Sequence, residues 1–324
     1  MHWCRRWLFT ILLSASGASL FAQEADSLLL SRVDDALTFE DSLMIFNLID
    51  SLLTYGEPIR SQFAVRMGYN SNVLSAGRTL GIENFGLAPG ISYYHKSGLF
   101  ADVSGFWSKD FVPSYYLTIA SAGYMHSFSK RFSVMGEYDR YFYNTPSDDA
   151  YIPYKNTLSV TPMLEFKPVL LSVNYSYYFG DAHVHRIMPG VSVILEKKNF
   201  KGIDRIALSP SFFALFGNET LTSIDYVAPK SLREAIQNFR QYGTTYSLVQ
   251  TTTNVFGVMN YAISVPLSVG FKNWGFAFMY TYNIPKALPG EPLTLSESSF
   301  LSGSLTYFFK GFRKNKFPLE PTGF

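Results

Sequence analysis

Three small groups of residues in this sequence have the types and spacing for chemistry. In "DAHVH", Asp181, His183 and His185 alternate along an extended segment, so a carboxylate and two imidazoles point to one side. That donor set suits a divalent metal, with Asp148, Asp149 or Glu219 from neighbouring loops able to add a ligand. The alternative is a solvated loop. In "HKSG", His95 stands two residues before Ser97, a base within reach of a hydroxyl. No acid or amide can be placed to orient His95, so no catalytic residue is assigned. The third group is a set of charges inside otherwise neutral segments: Arg66, Asp102, Glu137 and Asp139. Across an enclosed space they would neutralise one another or form a constriction that filters solutes by charge. There is no glycine-rich phosphate loop, Walker pattern or dinucleotide fingerprint, and no cofactor is expected.

The segments that carry these residues alternate with a period of two. In "VLLSVNYSYYFG", Val169, Leu171, Val173, Tyr175, Tyr177 and Phe179 fall on one face, and Ser172, Asn174 and Ser176 on the other. That is a strand with unlike faces. About twelve such segments are expected, near 61–70, 86–95, 98–107, 115–126, 131–143, 157–166, 169–179, 187–197, 203–214, 256–270, 274–284 and 299–309. Most have the roughly ten-residue length of a tilted strand crossing a bilayer. Their connections alternate short and long. "HKSG", "SKR", "EFKP", "KKNFKG" and "FKNW" are short, each with a lysine; 71–85, 108–114, 144–156, 215–250 and 285–298 are long, with "GDAHVHR" a shorter member of that set. Short turns at one end and long loops at the other mark an outer-membrane barrel, and lipid forces its strands to close on themselves. The inward face is expected to be small and neutral, including Gly68, Ser104, Thr118, Ala120, Ala122, Ser264, Ala277, Ser302 and Ser304.

Composition agrees. Charged residues make up 16% of the chain against about 25% in soluble domains, while Tyr and Phe are abundant and cluster near strand ends, as interfacial girdles do. Arg5 and Arg6 followed by "WLFTILLSASGASLFA" read as a signal peptide over 1–22, which would remove Cys4 and with it any disulfide or cysteine zinc site. Without Arg5 and Arg6, 25 basic residues face 25 acidic ones. This balance excludes nucleic acid as a partner, which needs a basic excess.

Residues 23–56 read as a periplasmic helical segment. In "TFEDSLMIFNLIDSLL", Ile45, Leu48, Ile49, Leu52 and Leu53 form one apolar stripe. So short a helix is marginal alone, so the stripe requires a surface: the barrel lumen, the inner edge of the outer membrane or a periplasmic protein, with a helical hairpin at the periplasmic mouth of the barrel the favoured arrangement. A second helix is expected in "SLREAIQNFRQYG" (231–243), with a gating or lid role. Residues 57–310 would form the barrel and 311–324 a periplasmic tail. "TFEDSLMIFNLIDSLL", "VRMGYNSNVLSAGRTLGIENFGLAPGISYYHKSGLFADVSGFWSKD" and "YTYNIPKALPGE" resemble a family of uncharacterised outer-membrane barrels of Gram-negative gut commensals. The resemblance implies the fold and the location, and no activity. "HKSG" also resembles the nucleophile motif of outer-membrane phospholipases and lipid A deacylases, but on the wrong rim for an outer-leaflet substrate. The expectation is therefore an all-β, closed antiparallel transmembrane β-barrel of about twelve strands with a short N-terminal helical segment. It would sit in outer-membrane lipid as a narrow, non-catalytic channel for small solutes, or as an anchored interaction protein.

Overall fold

The computed structural model describes residues 61–71, 86–109, 113–144, 154–291 and 296–309. The strands are β1 (Gln62–Asn70), β2 (Gly86–Tyr94), β3 (Leu99–Trp107), β4 (Tyr115–Ser127), β5 (Phe132–Tyr143), β6 (Tyr154–Phe166) and β7 (Val169–Gly180). They continue as β8 (His183–Val193), β9 (Leu195–Phe200), β10 (Ile203–Leu208), β11 (Ser211–Val227), β12 (Ser247–Phe271), β13 (Trp274–Pro285) and β14 (Ser298–Phe309), with one helix, α1 (Leu232–Tyr242), between β11 and β12. Each strand pairs antiparallel with its neighbours, and β1 pairs with β14. β8 and β9 are one stave interrupted at Ile194, and β10 and β11 are another interrupted at Ser209 and Pro210. Their common register proves it: Leu195 faces Leu208, and Ser192 faces Ser211. Fourteen segments thus make a closed ring of twelve staves.

The faces are inverted relative to a water-soluble protein. Outward residues are apolar and exposed around the ring: Val65, Ile91, Val103, Leu158, Val173, Ile263, Phe278 and Leu301 among them. Inward residues include buried Ser92, Thr161, Asn174, Asn260, Ser264 and Thr281. Water outside would leave an apolar belt unsatisfied, whereas lipid matches it. The turns sort by end. Residues 95–98, 128–131, 167–168, 201–202 and 272–273 lie on the short-turn rim, where β1 begins and β14 ends.

Two long loops differ from expectation. The 215–250 region is mostly strand: β11 and β12 stay paired to Val227 and Ser247, well past the last β8 partner of β11 at Gly217. The arm is rich in β-branched residues ("ETLTSI" opposite "QTTTNV") but lacks apolar–polar alternation. With no lipid beyond the rim, no pattern of unlike faces is imposed, and the alternation criterion misses it. Its tip holds α1, inside the expected 231–243. Ser231 caps it, accepting from the Glu234 backbone N–H at 3.2 Å, and Gly243 closes it in the left-handed conformation. The second difference is "GDAHVHR", in which only Asp181 and Ala182 lie between β7 and β8.

Candidate functional site

The lumen gathers the charges singled out by the sequence. Arg66 on β1 reaches across Gly90 on β2 to Ser104 (2.7 Å) and Asp102 (3.4 Å) on β3. A Cβ at Gly90 would come within 3.1 Å of the Arg66 Nη2, so glycine opens that path. Ser92 and Ser104 also donate to Asp102, the latter at 2.6 Å. The carboxylate is nearly buried, and hydrogen bonds offset the cost of taking it out of water. The same pleat row continues from Asp102 to Ser121 on β4 and Asp139 on β5. Asp139 is buried, and its Oδ1 has no hydrogen-bond partner among the described residues. Glu137, two residues away on the same face, starts another row: Ser159, Ser176, then Arg186 on β8.

Arg186 and Arg205 are the lumen charges that sequence reasoning missed. Both are buried. Arg186 folds over Gly217, where a Cβ would meet its side chain at 2.5 Å, and donates to the Asn218 carbonyl. Arg205 donates its Nε to Glu196 at 3.0 Å. Arg186 was hidden because "GDAHVHR" reads as loop, and the signal was its spacing to Met188 and Gly190 on the inward parity. Among the described residues the interior thus carries Arg66, Arg186 and Arg205 together with Asp102, Glu137 and Asp139, and Arg205 is already paired with Glu196.

Much of the lumen is filled. Met188, Phe213, Leu215, Met259 and Phe300 pack together, with Leu288 from the β13–β14 connection inserted among them. Phe106, Tyr116, Leu117, Ile119 and Tyr141 form a second cluster, and Met135 and Met163 a third. This corrects the expected small-residue face on β4. Thr118, Ala120 and Ala122 lie on the outward parity, because Ser121 is the β4 residue between Asp102 and Asp139. The inward β4 side chains include Leu117, Ile119 and Met125 beside Ser121.

The wall made by β12–β14 and β1 borders a cavity. From Arg66 the row runs through Thr306, Gly275 and Gly270 to Arg205, so the two arginines bound a wall of minimal side chains. Ser268, Ala277, Ser302 and Ser304 extend that wall, and a cavity of about 70 Å³ lies against it. Above it, Asn260 donates to Asn283 (2.9 Å) and Ser264 bonds Thr281 (3.1 Å), fixing β12 to β13 from inside.

The other candidates do not converge. His183 and His185 lie on the outward parity of β8, where His185 bonds the Tyr175 hydroxyl (2.8 Å) and stacks on Tyr177. Asp181 pairs with Lys155 at 3.0 Å. Among the described residues no cluster of three or more such ligands could hold a metal. His95 Nδ1 does meet Ser97 Oγ at 2.8 Å, but both are in the exposed turn between β2 and β3. Ile45, Leu48, Ile49 and Leu52 lie outside the described residues, as do the segments 1–22, 23–56 and 311–324.

No known protein family and no curated protein matches the sequence. Among solved structures the chain is similar to the KdgM porin, at 10% identity and a TM-score of 0.43, over 76% of this chain and 99% of that one. It is similar to the NanC porin at 11% identity and 0.39, over 76% and 98%. It is also similar to an outer-membrane channel from Pseudomonas putida F1, at 10% identity and 0.41, over 78% and 98%.

Proposed function

We propose that this chain is a non-enzymatic, porin-like outer-membrane channel that passes small solutes through a narrow, off-centre path. The observation that carries this reading is the strip of Gly, Ala, Ser and Thr on β12–β14 and β1, which lines a cavity in a cylinder whose other walls carry packed side-chain clusters. Twelve strands lie between the eight that enclose little more than side chains and the sixteen that hold a water channel. A partly filled interior with one thin-walled sector fits that intermediate girth. Export by the N-terminal segment to a Gram-negative outer membrane belongs to the same reading. The test is single-channel recording in planar bilayers. The wild type is expected to give discrete conductance steps, and Ala277→Phe with Ser304→Phe, which fills the strip, to reduce them severalfold. Silent bilayers containing folded wild-type protein would refute the channel.

A second reading, an anchored interaction protein, draws on α1. Its exposed face carries Leu232, Ile236 and Phe239, while polar Asn238 is the buried side, bonded to the Thr245 carbonyl at 3.2 Å. An apolar stripe turned outward at the tip of an arm suits protein contact better than a lid. The stripe Ile45, Leu48, Ile49 and Leu52 is proposed to dock a periplasmic protein. Deleting 228–246 or 25–55 separately, then comparing co-purified proteins, distinguishes the two surfaces.

A further inference from the structure

The short-turn rim has an unused feature: cations seated on exposed phenyl rings at several turns. Lys272 Nζ lies 5.0 Å from the centre of the Phe271 ring, and Arg131 lies 5.8 Å from that of Phe166. Lys197 and Lys201 both cover Phe200, at 4.2 and 5.5 Å. Phe166 and Phe271 are outward residues at the last turns of the apolar belt. The hairpin β9–β10 hangs below its neighbour: β7 stops pairing at Val169, and all six residues of β9 are exposed. Here the charges are strongly unbalanced. Lys197, Lys198, Lys201 and Lys272 stand against two acids that are already engaged, Glu196 with Arg205 and Lys198, and Asp204 with the Lys272 backbone N–H.

We propose that this rim is a binding collar for anionic phospholipid headgroups, centred on β9–β10 and the β12–β13 turn. The outward rings of Phe166 and Phe271 sit at the acyl boundary, Phe200 lies at the tip of the β9–β10 hairpin, and the cations these rings brace reach the phosphates. An exposed cation–π contact is weak, so the rings position these cations and leave their charge open to a stronger partner. A phosphate at the height of the aromatic belt gives each held cation a partner, and such basic clusters draw anionic lipid additively. The inference rests on the lipid-facing exterior and is independent of conduction.

The test is electron paramagnetic resonance of the full-length protein in phosphatidylcholine vesicles containing spin-labelled phosphatidylglycerol or spin-labelled phosphatidylcholine. The wild type is expected to immobilise the anionic lipid about threefold more strongly. The preference should vanish in Lys197→Gln/Lys201→Asn/Lys272→Asn and in 1 M salt, where the Debye length falls to about 3 Å. Asn is chosen at 201 and 272 because both have positive φ. Lys155→Gln/Lys230→Gln/Arg233→Gln, which removes equal charge from the other end, should retain it. Equal immobilisation of both lipids by the wild type would overturn the collar, as would equal loss in the two triple variants. Heat-modifiable migration confirms folding in each case.

Discussion

Arg66 and Asp102 show what a charged pair inside a barrel does and what its loss should reveal. Two serines and one guanidinium hold the carboxylate. Arg66→Ala would leave Asp102 buried without its cation, and the expected cost is about 3–5 kcal/mol. Replacing both partners, with Arg66→Met and Asp102→Leu, should recover most of it, because an apolar pair of similar volume needs no desolvation. Urea unfolding in lipid vesicles measures both. In the proposed channel Asp139 acts on the path through its field from the opposite wall, so removing its negative charge with Asp139→Asn should shift the reversal potential in a salt gradient toward anions. An unchanged potential would place Asp139 off the solute path. These residues were legible because a charge on the inward parity of an apolar strand has few alternatives. Arg186 was not, because a two-residue turn and the strand after it share their composition with a loop.

The projecting arm is where element-level reading of the sequence stopped. Alternation needs two unlike media, and beyond the rim there is one. The arm's pairing nevertheless runs unbroken to Val227 and Ser247, which face each other. Replacing 228–246 with Asn-Gly should therefore close the hairpin with a favoured tight turn and leave the barrel heat-modifiable. Loss of folding on this replacement would show that α1 is structural. A milder change, Ser231→Ala, removes the helix cap at a cost of about 1 kcal/mol. Hydrogen exchange should show faster amides in α1 and unchanged protection in β11. The helix itself was readable from "SLREAIQNFRQYG", since cap, first-turn acid and terminal glycine all agree.

At the scale of the whole molecule, closure, strand number and the inverted faces followed from alternation and loop sorting, while the filling of the lumen did not. Periodicity assigns a residue to a face; how far Met163 or Phe213 reaches into a shared interior depends on strands distant in sequence. The lipid belt has a direct test. Val103 is mid-strand and exposed on the outer face, so Val103→Arg should destabilise the barrel by about 2–4 kcal/mol if it lies at the bilayer midplane. Unfolding in vesicles would register it, and a near-zero effect would mean that the position meets water. The junction of β1 with β14 has a temporal consequence. Residues 63–70 find their partners among 302–309, on the far side of every other strand in the chain. The first strand must therefore wait, with one side unsatisfied, until β14 is present. A chain cut short by even its final strand keeps two raw borders, which invite pairing with a sister molecule or recognition by whatever escorts incomplete sheets to the membrane.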